Sequence, residues 1–280
     1  MGPPSGNSLL PTIDRRTAAD LMAPLTELVA LAGAAILKVD RSRMHVEGKP
    51  DGSPVTEADL AADRIIADGL KRLAPAIPQL SEERAAARGA SGSAAFFLVD
   101  PLDGTKEFVA GRNEFTVNLA LVVNGTPLLG ILGAPALGLI WRGLVGHGAE
   151  RLAVTRGTNG LGPAVPIRTR PFPPPGQPWI AAVSRLHGDA DTEAFIDKRP
   201  GAIRERLGSA LKFAKVAEGA VDIYPRLAPT SEWDVAAGHA IVSAAGGKIT
   251  GAAGADLRFG GGAKDLIVPA FIAWGDPTAS

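Results

Sequence analysis

The sequence predicts a mixed α/β protein, α+β in its first half and a layered α/β arrangement in its second. Three observations predict it: two amphipathic helical stripes before residue 75, short apolar runs separated by turn signals between 96 and 145, and strands alternating with helices from 179 onward. At 280 residues with 46% apolar side chains, the chain can bury a substantial core. Its 29 basic and 29 acidic residues cancel. No overall field therefore draws it to a nucleic acid polymer or an anionic membrane. The absence of cysteine excludes disulfides, thiolate nucleophiles and sulfur-ligated metals, and agrees with a reducing, cytoplasmic setting.

The elements follow in order. Leu21, Leu25, Leu28, Val29, Ala32, Ile36 and Val39 recur at helical spacing, which makes 21–37 a core-packing helix. Arg15-Arg16 ahead of that run imitates a twin-arginine export signal, but Glu27 interrupts the apolar stretch. A second helix lies within 53–73, opened by Thr56 and Asp59 as a capping box. Residues 85–95 read as a loop, and the apolar run 96–99 as a buried strand that delivers Asp100 to its end. Strands at 115–123, 128–132 and 138–145 form an antiparallel meander, its first turn at Asn124-Gly125. Asn118 to Trp141 is apolar enough to imitate a membrane span, but its prolines and glycines break it into strands, so no integral membrane segment is expected.

Residues 163–178 are proline-rich without periodicity, and divide an N-terminal α+β lobe (1–170) from a C-terminal α/β lobe (171–280). The second lobe reads as a strand at 179–183, a helix at 209–218, a strand at 221–227, a helix at 234–245 and a last strand near 266–272. The tail after Trp274 is expected to be loose.

Four acidic groups stand at element ends: Asp59, Glu82-Glu83, Asp100 with Asp103, and Asp234. Hard divalent cations take carboxylate oxygens and complete their shell with water and phosphate, so acids converging from separate elements suit Mg2+. In Asp100-Pro101-Leu102-Asp103 the proline stiffens the turn, which lets both carboxylates and the Leu102 carbonyl face one point. Gly104 lets backbone amides approach an anion, and Thr105 opens a short helix. Taken singly, each group has a plainer reading: Asp-Gly as a turn, Glu82-Glu83 as a solvated pair, Asp234 as a helix N-cap. The Asp100 and Asp103 spacing excludes the Asp-x-Asp-x-Thr of aspartyl-phosphate hydrolases, and no nucleophile elbow or P-loop is present. His45, His147, His187 and His239 are scattered.

Four segments, in order, resemble the lithium-sensitive inositol monophosphatase superfamily: Ser53-Pro-Val-Thr-Glu-Ala-Asp59, Ser81-Glu-Glu83, Val99-Asp-Pro-Leu-Asp-Gly-Thr-Lys-Glu-Phe108 and Trp233-Asp-Val-Ala-Ala-Gly238. Glu114-Phe-Thr-Val-Asn118, Ala134-Pro-Ala-Leu-Gly138, Ser184-Arg-Leu-His187 and Gly208-Ser-Ala-Leu-Lys-Phe213 are similar to its bisphosphate nucleotidase branch. The resemblance implies a layered αβαβα sandwich. It implies Mg2+-dependent hydrolysis of 3'-phosphoadenosine 5'-phosphate to AMP and phosphate in sulfur assimilation, with inositol 1-phosphate or fructose 1,6-bisphosphate as alternative substrates. A nucleotide- or metal-sensing binding protein is the non-enzymatic alternative.

By matched position the resemblance implies that Glu82, Asp100 and the Leu102 carbonyl hold one Mg2+, and that Asp100, Asp103 and Asp234 hold another, in a set of two or three ions. Such a pair clamps an in-line displacement. Thr105 with Asp59 or Glu82 would orient the attacking water, and the Gly104 and Thr105 amides would hold the scissile phosphate. Lys212, in a helix capped by Ser209, together with Arg226 and His187, would contact the second phosphate or the nucleoside. Li+ and Ca2+ are expected to inhibit. The expected partner is a small nucleoside bisphosphate, and the expected state a monomer or homodimer, cytoplasmic or peripheral at the inner membrane.

Overall fold

A computed structural model describes residues 13–49, 54–84, 93–186, 188–260 and 266–279. Helix α1 (Arg15–Ile36) starts earlier than its apolar stripe because the Asp14 side chain caps it, accepting from the Thr17 amide. The chain continues through β1 (Val46–Gly48), β2 (Pro54–Thr56), α2 (Glu57–Leu73), β3 (Gln79–Ser81) and β4 (Ala95–Asp103). The short helix α3 (Thr105–Val109) precedes the meander β5 (Thr116–Val123), β6 (Thr126–Ala134) and β7 (Leu139–Leu144), and then β8 (Gly148–Val154) and β9 (Leu161–Ile167). Next come β10 (Trp179–Ser184), α4 (Ala190–Asp197), β11 (Ala202–Leu207), α5 (Leu211–Ala217) and β12 (Ile223–Arg226). The chain ends with β13 (Thr230–Ser231), α6 (Glu232–Ala244), β14 (Lys248–Gly251), β15 (Ile267–Val268) and β16 (Phe271–Trp274).

Two sheets form the layers. One has the order β3-β4-β5-β6-β7-β8-β9, the other β11-β10-β12-β16-β14. Along β4, Phe97 and Val99 face the core under α1 and α2, while Phe96 and Leu98 face the core with α5 and α6. A strand buried on both faces has no polar alternation, which is why 96–99 is a plain apolar run. Outside the second sheet, Ile196 of α4 packs with Trp179, Ile272 and Trp274. The stack is therefore helix, sheet, helix, sheet, helix, the αβαβα sandwich.

Two glycines set the central spacing. Gly130 of β6 pairs with Gly143 of β7. A side chain at Gly130 would begin 2.2 Å from the Ala237 carbonyl, and one at Gly143 2.9 Å from Ala244 Cβ. Helix α6 thus lies directly on the sheet, with its N-terminus, carrying Asp234, near the end of β4.

Several expectations change. Ser209 does not cap the helix that follows: it has φ +47°, Ala210 is the N-cap and Leu211 the first helical residue. Asp234 is not an N-cap but the third residue of α6, completing a capping box with Ser231. The last strand divides into β15 and β16. The proline-rich stretch carries β9 over its first part, at a sheet edge where a proline without an N–H removes no ladder bond. Helix α4 and the charged strand β11 carry too little apolar periodicity to be read from sequence. The residues after Trp274 are tied down, Gly275 N to the Asp222 carbonyl and Asp276 Oδ2 to Phe172 N. Most of the loop expected at 85–95 lies outside the described residues.

Helix α1 is long and apolar enough to cross a membrane, but half of that window is buried, packed on α2 and β6 as a core helix packs.

Candidate active site

Phe96, Leu98 and Asp100 share one face of β4, so Asp100 projects toward the layer that contains α6. The register of β4 against β5 then shifts between Asp100 and Asp103. This irregularity turns the chain so that both acids reach the same cleft. The Leu102 amide donates to Asp100 Oδ1 at 3.0 Å, which holds the turn. Gly104 follows at φ +93°, a left-handed conformation that favours glycine.

A cleft of about 280 Å3 is lined by Glu82, Asp100, Leu102, Asp103, Gly104, Thr105, Ser209, Lys212, Arg226 and Asp234, among others. Ten of the twelve predicted site residues therefore line one cavity. Asp59 stands just behind: its Oδ1 is 3.0 Å from the Thr105 hydroxyl, which is also 3.1 Å from the Leu102 carbonyl. As third residue of α2, Asp59 also accepts from the Thr56 amide and hydroxyl through Oδ2. His187 lies outside the described residues.

The cleft brings acids and cations within reach of one another: Lys212 feels Asp103, Glu107 and Asp234, and Arg226 feels Asp234 and Asp103. Burial, with Glu82, Asp103 and Asp234 close by, raises Asp100 well above the usual carboxylate range. Burial and Asp103 push Asp234 up to about 7 although Thr230 donates to it. Asp103 is raised by burial, against the pull of Lys212 and of Asn118, whose amide lies 3.3 Å from Oδ2. Burial likewise raises Asp59. Burial lowers Lys212 to about 8, although Asp103 opposes this. Its ammonium donates to the Ser209 carbonyl at 2.5 Å. Arg226 Nε and Ser209 Oγ are buried with no hydrogen-bond partner.

Sequence reasoning missed the supports. Lys49 Nζ donates to Glu82 at 2.6 Å and to Glu83 at 2.7 Å, and those two carboxylates keep it protonated despite its burial. Ser81 Oγ donates to Asp63 at 2.6 Å, and Arg84 pairs with Asp63 at 2.9 Å, which anchors the Glu82 turn on α2. Glu107, Ser184 and Tyr224 also line the cleft. Thr116 and Asn118, two residues apart on β5, both reach Asp103 Oδ2, a role that the branch-like segment 114–118 did not by itself assign to them.

The donor set fits a hard cation. Glu82, Asp100, Asp103, Asp234 and the Leu102 carbonyl offer oxygen only, and unneutralised buried carboxylates are costly. Among the described residues no three acidic or imidazole side chains meet as a closed ligand shell. The carboxylates instead line a shared cavity, which suits an ion such as Mg2+ that keeps several waters between itself and the protein.

Residues 18–277 match the model of the Inositol monophosphatase family. The chain is 39% identical over 232 residues to the 3'(2'),5'-bisphosphate nucleotidase CysQ of Shigella flexneri, covering 82% of this chain and 89% of that protein. CysQ of Escherichia coli K12 is 38% identical over the same coverage. The crystal structure of CysQ from Bacteroides thetaiotaomicron superposes with a TM-score of 0.77 at 33% identity, covering 93% of this chain and 98% of that one.

Proposed function

The chain belongs to the inositol monophosphatase family, and on that footing we propose that it is a Mg2+-dependent 3'(2'),5'-bisphosphate nucleotidase that releases phosphate from 3'-phosphoadenosine 5'-phosphate. The observation that carries the choice of substrate is a cleft that holds buried cations as well as acids. A buried ammonium at Lys212 and a buried, unpartnered Arg226 Nε share one cavity with five carboxylates, Glu82, Asp100, Asp103, Glu107 and Asp234. A monophosphate held with metal by the acids leaves these cations without an anion from the substrate. A bisphosphate supplies one.

Glu82, Asp100 and the Leu102 carbonyl would hold one Mg2+, and Asp100, Asp103 and Asp234 a second. When bound, the ions supply the positive charge that a dianionic ester needs and acidify water. The protein's own groups do the rest. Asp59 Oδ1 accepts the Thr105 hydroxyl proton, which leaves the Thr105 oxygen free to accept from the attacking water and aim it. As the water oxygen attacks phosphorus and the bond from phosphorus to the ribose 3'-oxygen breaks, the water proton passes to Thr105 Oγ1 and the Thr105 proton to Asp59, whose carboxyl burial raises, while the leaving 3'-oxygen takes a proton from solvent water. The Gly104 and Thr105 amides face the phosphoryl oxygens, and Lys212 and Arg226 hold the distal phosphate.

Phosphate release measured with Mg2+ on 3'-phosphoadenosine 5'-phosphate, inositol 1-phosphate and fructose 1,6-bisphosphate tests this. The bisphosphate nucleotide is expected to have the highest kcat/KM. A clear preference for inositol 1-phosphate would sink the substrate assignment. Asp100→Asn with full turnover would sink the metal-assisted mechanism.

A further inference from the structure

Glu114 does not line the cleft, yet it touches both halves of the site. It precedes β5, and its carbonyl oxygen lies 3.2 Å from where a side chain at Gly104 would begin and 2.8 Å from the same point at Gly208. The glycine of the phosphate cradle and the glycine ahead of the Lys212 helix therefore pack against one peptide group. At Gly208 this approach leaves no room for a side chain, while at Gly104 it is tight and the left-handed backbone itself favours glycine.

The Glu114 carboxylate completes the join. Its Oε2 accepts the Gly208 amide at 2.8 Å and Arg185 Nε at 2.9 Å, and its Oε1 accepts Arg185 Nη2 at 2.7 Å. Arg185 Nη2 also donates to the Arg206 carbonyl at 2.7 Å, and the Arg185 amide to the Leu207 carbonyl at 3.1 Å. One guanidinium thus grips the end of β11 while the carboxylate holds the next residue. Burial pushes the Glu114 carboxyl up, but the bonds from Arg185 and Gly208 outweigh it and hold it below its usual range. The fork is a bidentate ion pair, the geometry that fixes orientation as well as distance.

The turn so held is the one that needs holding. Ser209 adopts φ +47°, strained for serine, and its carbonyl accepts the Lys212 ammonium. Strained backbone of this kind persists only where its surroundings over-determine it. The contacts run in sequence from Arg185 through Glu114, Gly208 and Ser209 to Lys212.

We propose that Glu114 and Arg185 are positioning residues that set the spacing between the Gly104 cradle and Lys212, and so select substrates with two phosphates over those with one. The inference rests on the bisphosphate reading above. Neither residue lines the cleft, and their effect passes through Gly208 and Ser209.

Steady-state kinetics on adenosine 3',5'-bisphosphate and adenosine 3'-monophosphate, with saturating Mg2+, test it in Glu114→Gln and Arg185→Lys. The KM for the bisphosphate is expected to rise roughly tenfold in each. On the monophosphate, kcat and KM should stay within about twofold, since the cradle keeps its own turn. Equal losses on both substrates, or none on either, overturn the clamp. Preference for the bisphosphate that survives both substitutions overturns the clamp alone, whereas a wild-type enzyme without that preference overturns the bisphosphate reading and the clamp with it. Should Glu114→Gln fail to fold, Arg185→Lys, which keeps the charge and loses the fork, carries the same comparison.

Discussion

The Thr105 hydroxyl and Asp59 Oδ1 lie 3.0 Å apart, although 46 residues separate them in the chain. The first opens α3 beyond the end of β4, and the second closes the first turn of α2. Their meeting joins the turn after β4, which lines the cleft, to the helix layer behind it.

Removing that hydroxyl should stop catalysis without emptying the site. Thr105→Val is expected to lower kcat by about 10²- to 10⁴-fold, the range for loss of a positioned proton acceptor. Mg2+ affinity by calorimetry should change little, because Thr105 offers no carboxylate. A loss of metal binding as large as the loss of turnover would place Thr105 in a different role.

Lys212 should separate two substrates. Lys212→Met is expected to raise the KM for a nucleoside 3',5'-bisphosphate by roughly tenfold or more, the cost of a lost charge-assisted contact. The KM for a 3'-monophosphate should rise far less. Parallel increases for the two substrates would mean that Lys212 acts on Asp103 rather than on the distal phosphate.

His239 offers a pH test away from the cleft. It is buried in α6 against Phe259, its Nδ1 has no partner, and burial lowers it from 6.5 to about 4, against the pull of Asp256. A base with a depressed folded pKa stabilises the fold fully above its unfolded pKa, and that contribution is lost as pH falls from 6.5 through about 4. Roughly 3 kcal/mol is at stake, from 1.36 kcal/mol per pH unit. The thermal midpoint should therefore fall less steeply between pH 6.5 and 4 in His239→Leu than in the wild type. Identical slopes would rule out this group as the source.

Gly130 should tie stability to metal binding. A methyl group there would begin 2.2 Å from the Ala237 carbonyl, so Gly130→Ala must lift α6 off the sheet. Overpacking of this kind costs about 1–3 kcal/mol. Because α6 carries Asp234, Mg2+ affinity should fall along with the melting temperature. A destabilised variant with unchanged Mg2+ affinity would show that Asp234 is placed independently of the helix.

The αβαβα layering was implied by the family resemblance, and most residues that line the candidate cleft were named from the sequence. The capping box of Thr56 and Asp59, the stiff Asp-Pro-Leu-Asp turn and the apolar run of β4 are local features, determined by residues within a few positions of each other. The misread elements, unlike the missed long-range supports, were local in cause. Prolines disguised the edge strand β9, alternating Arg and Glu disguised β11, and a strained serine stood where a cap was expected.

The sequence by itself determined which oxygen donors and cations this protein has and which turn presents Asp100 and Asp103, because turn geometry and donor chemistry belong to neighbouring residues. The tertiary structure alone decided that they meet. Asp234 reaches β4 because Gly130 and Gly143 let α6 lie on the sheet, Glu82 is held by Lys49, and Lys212 is aimed by a carboxylate 98 positions upstream, through an amide 94 residues from Glu114. Such distances are closed by packing of sheets and helices, and no periodicity along the chain encodes them.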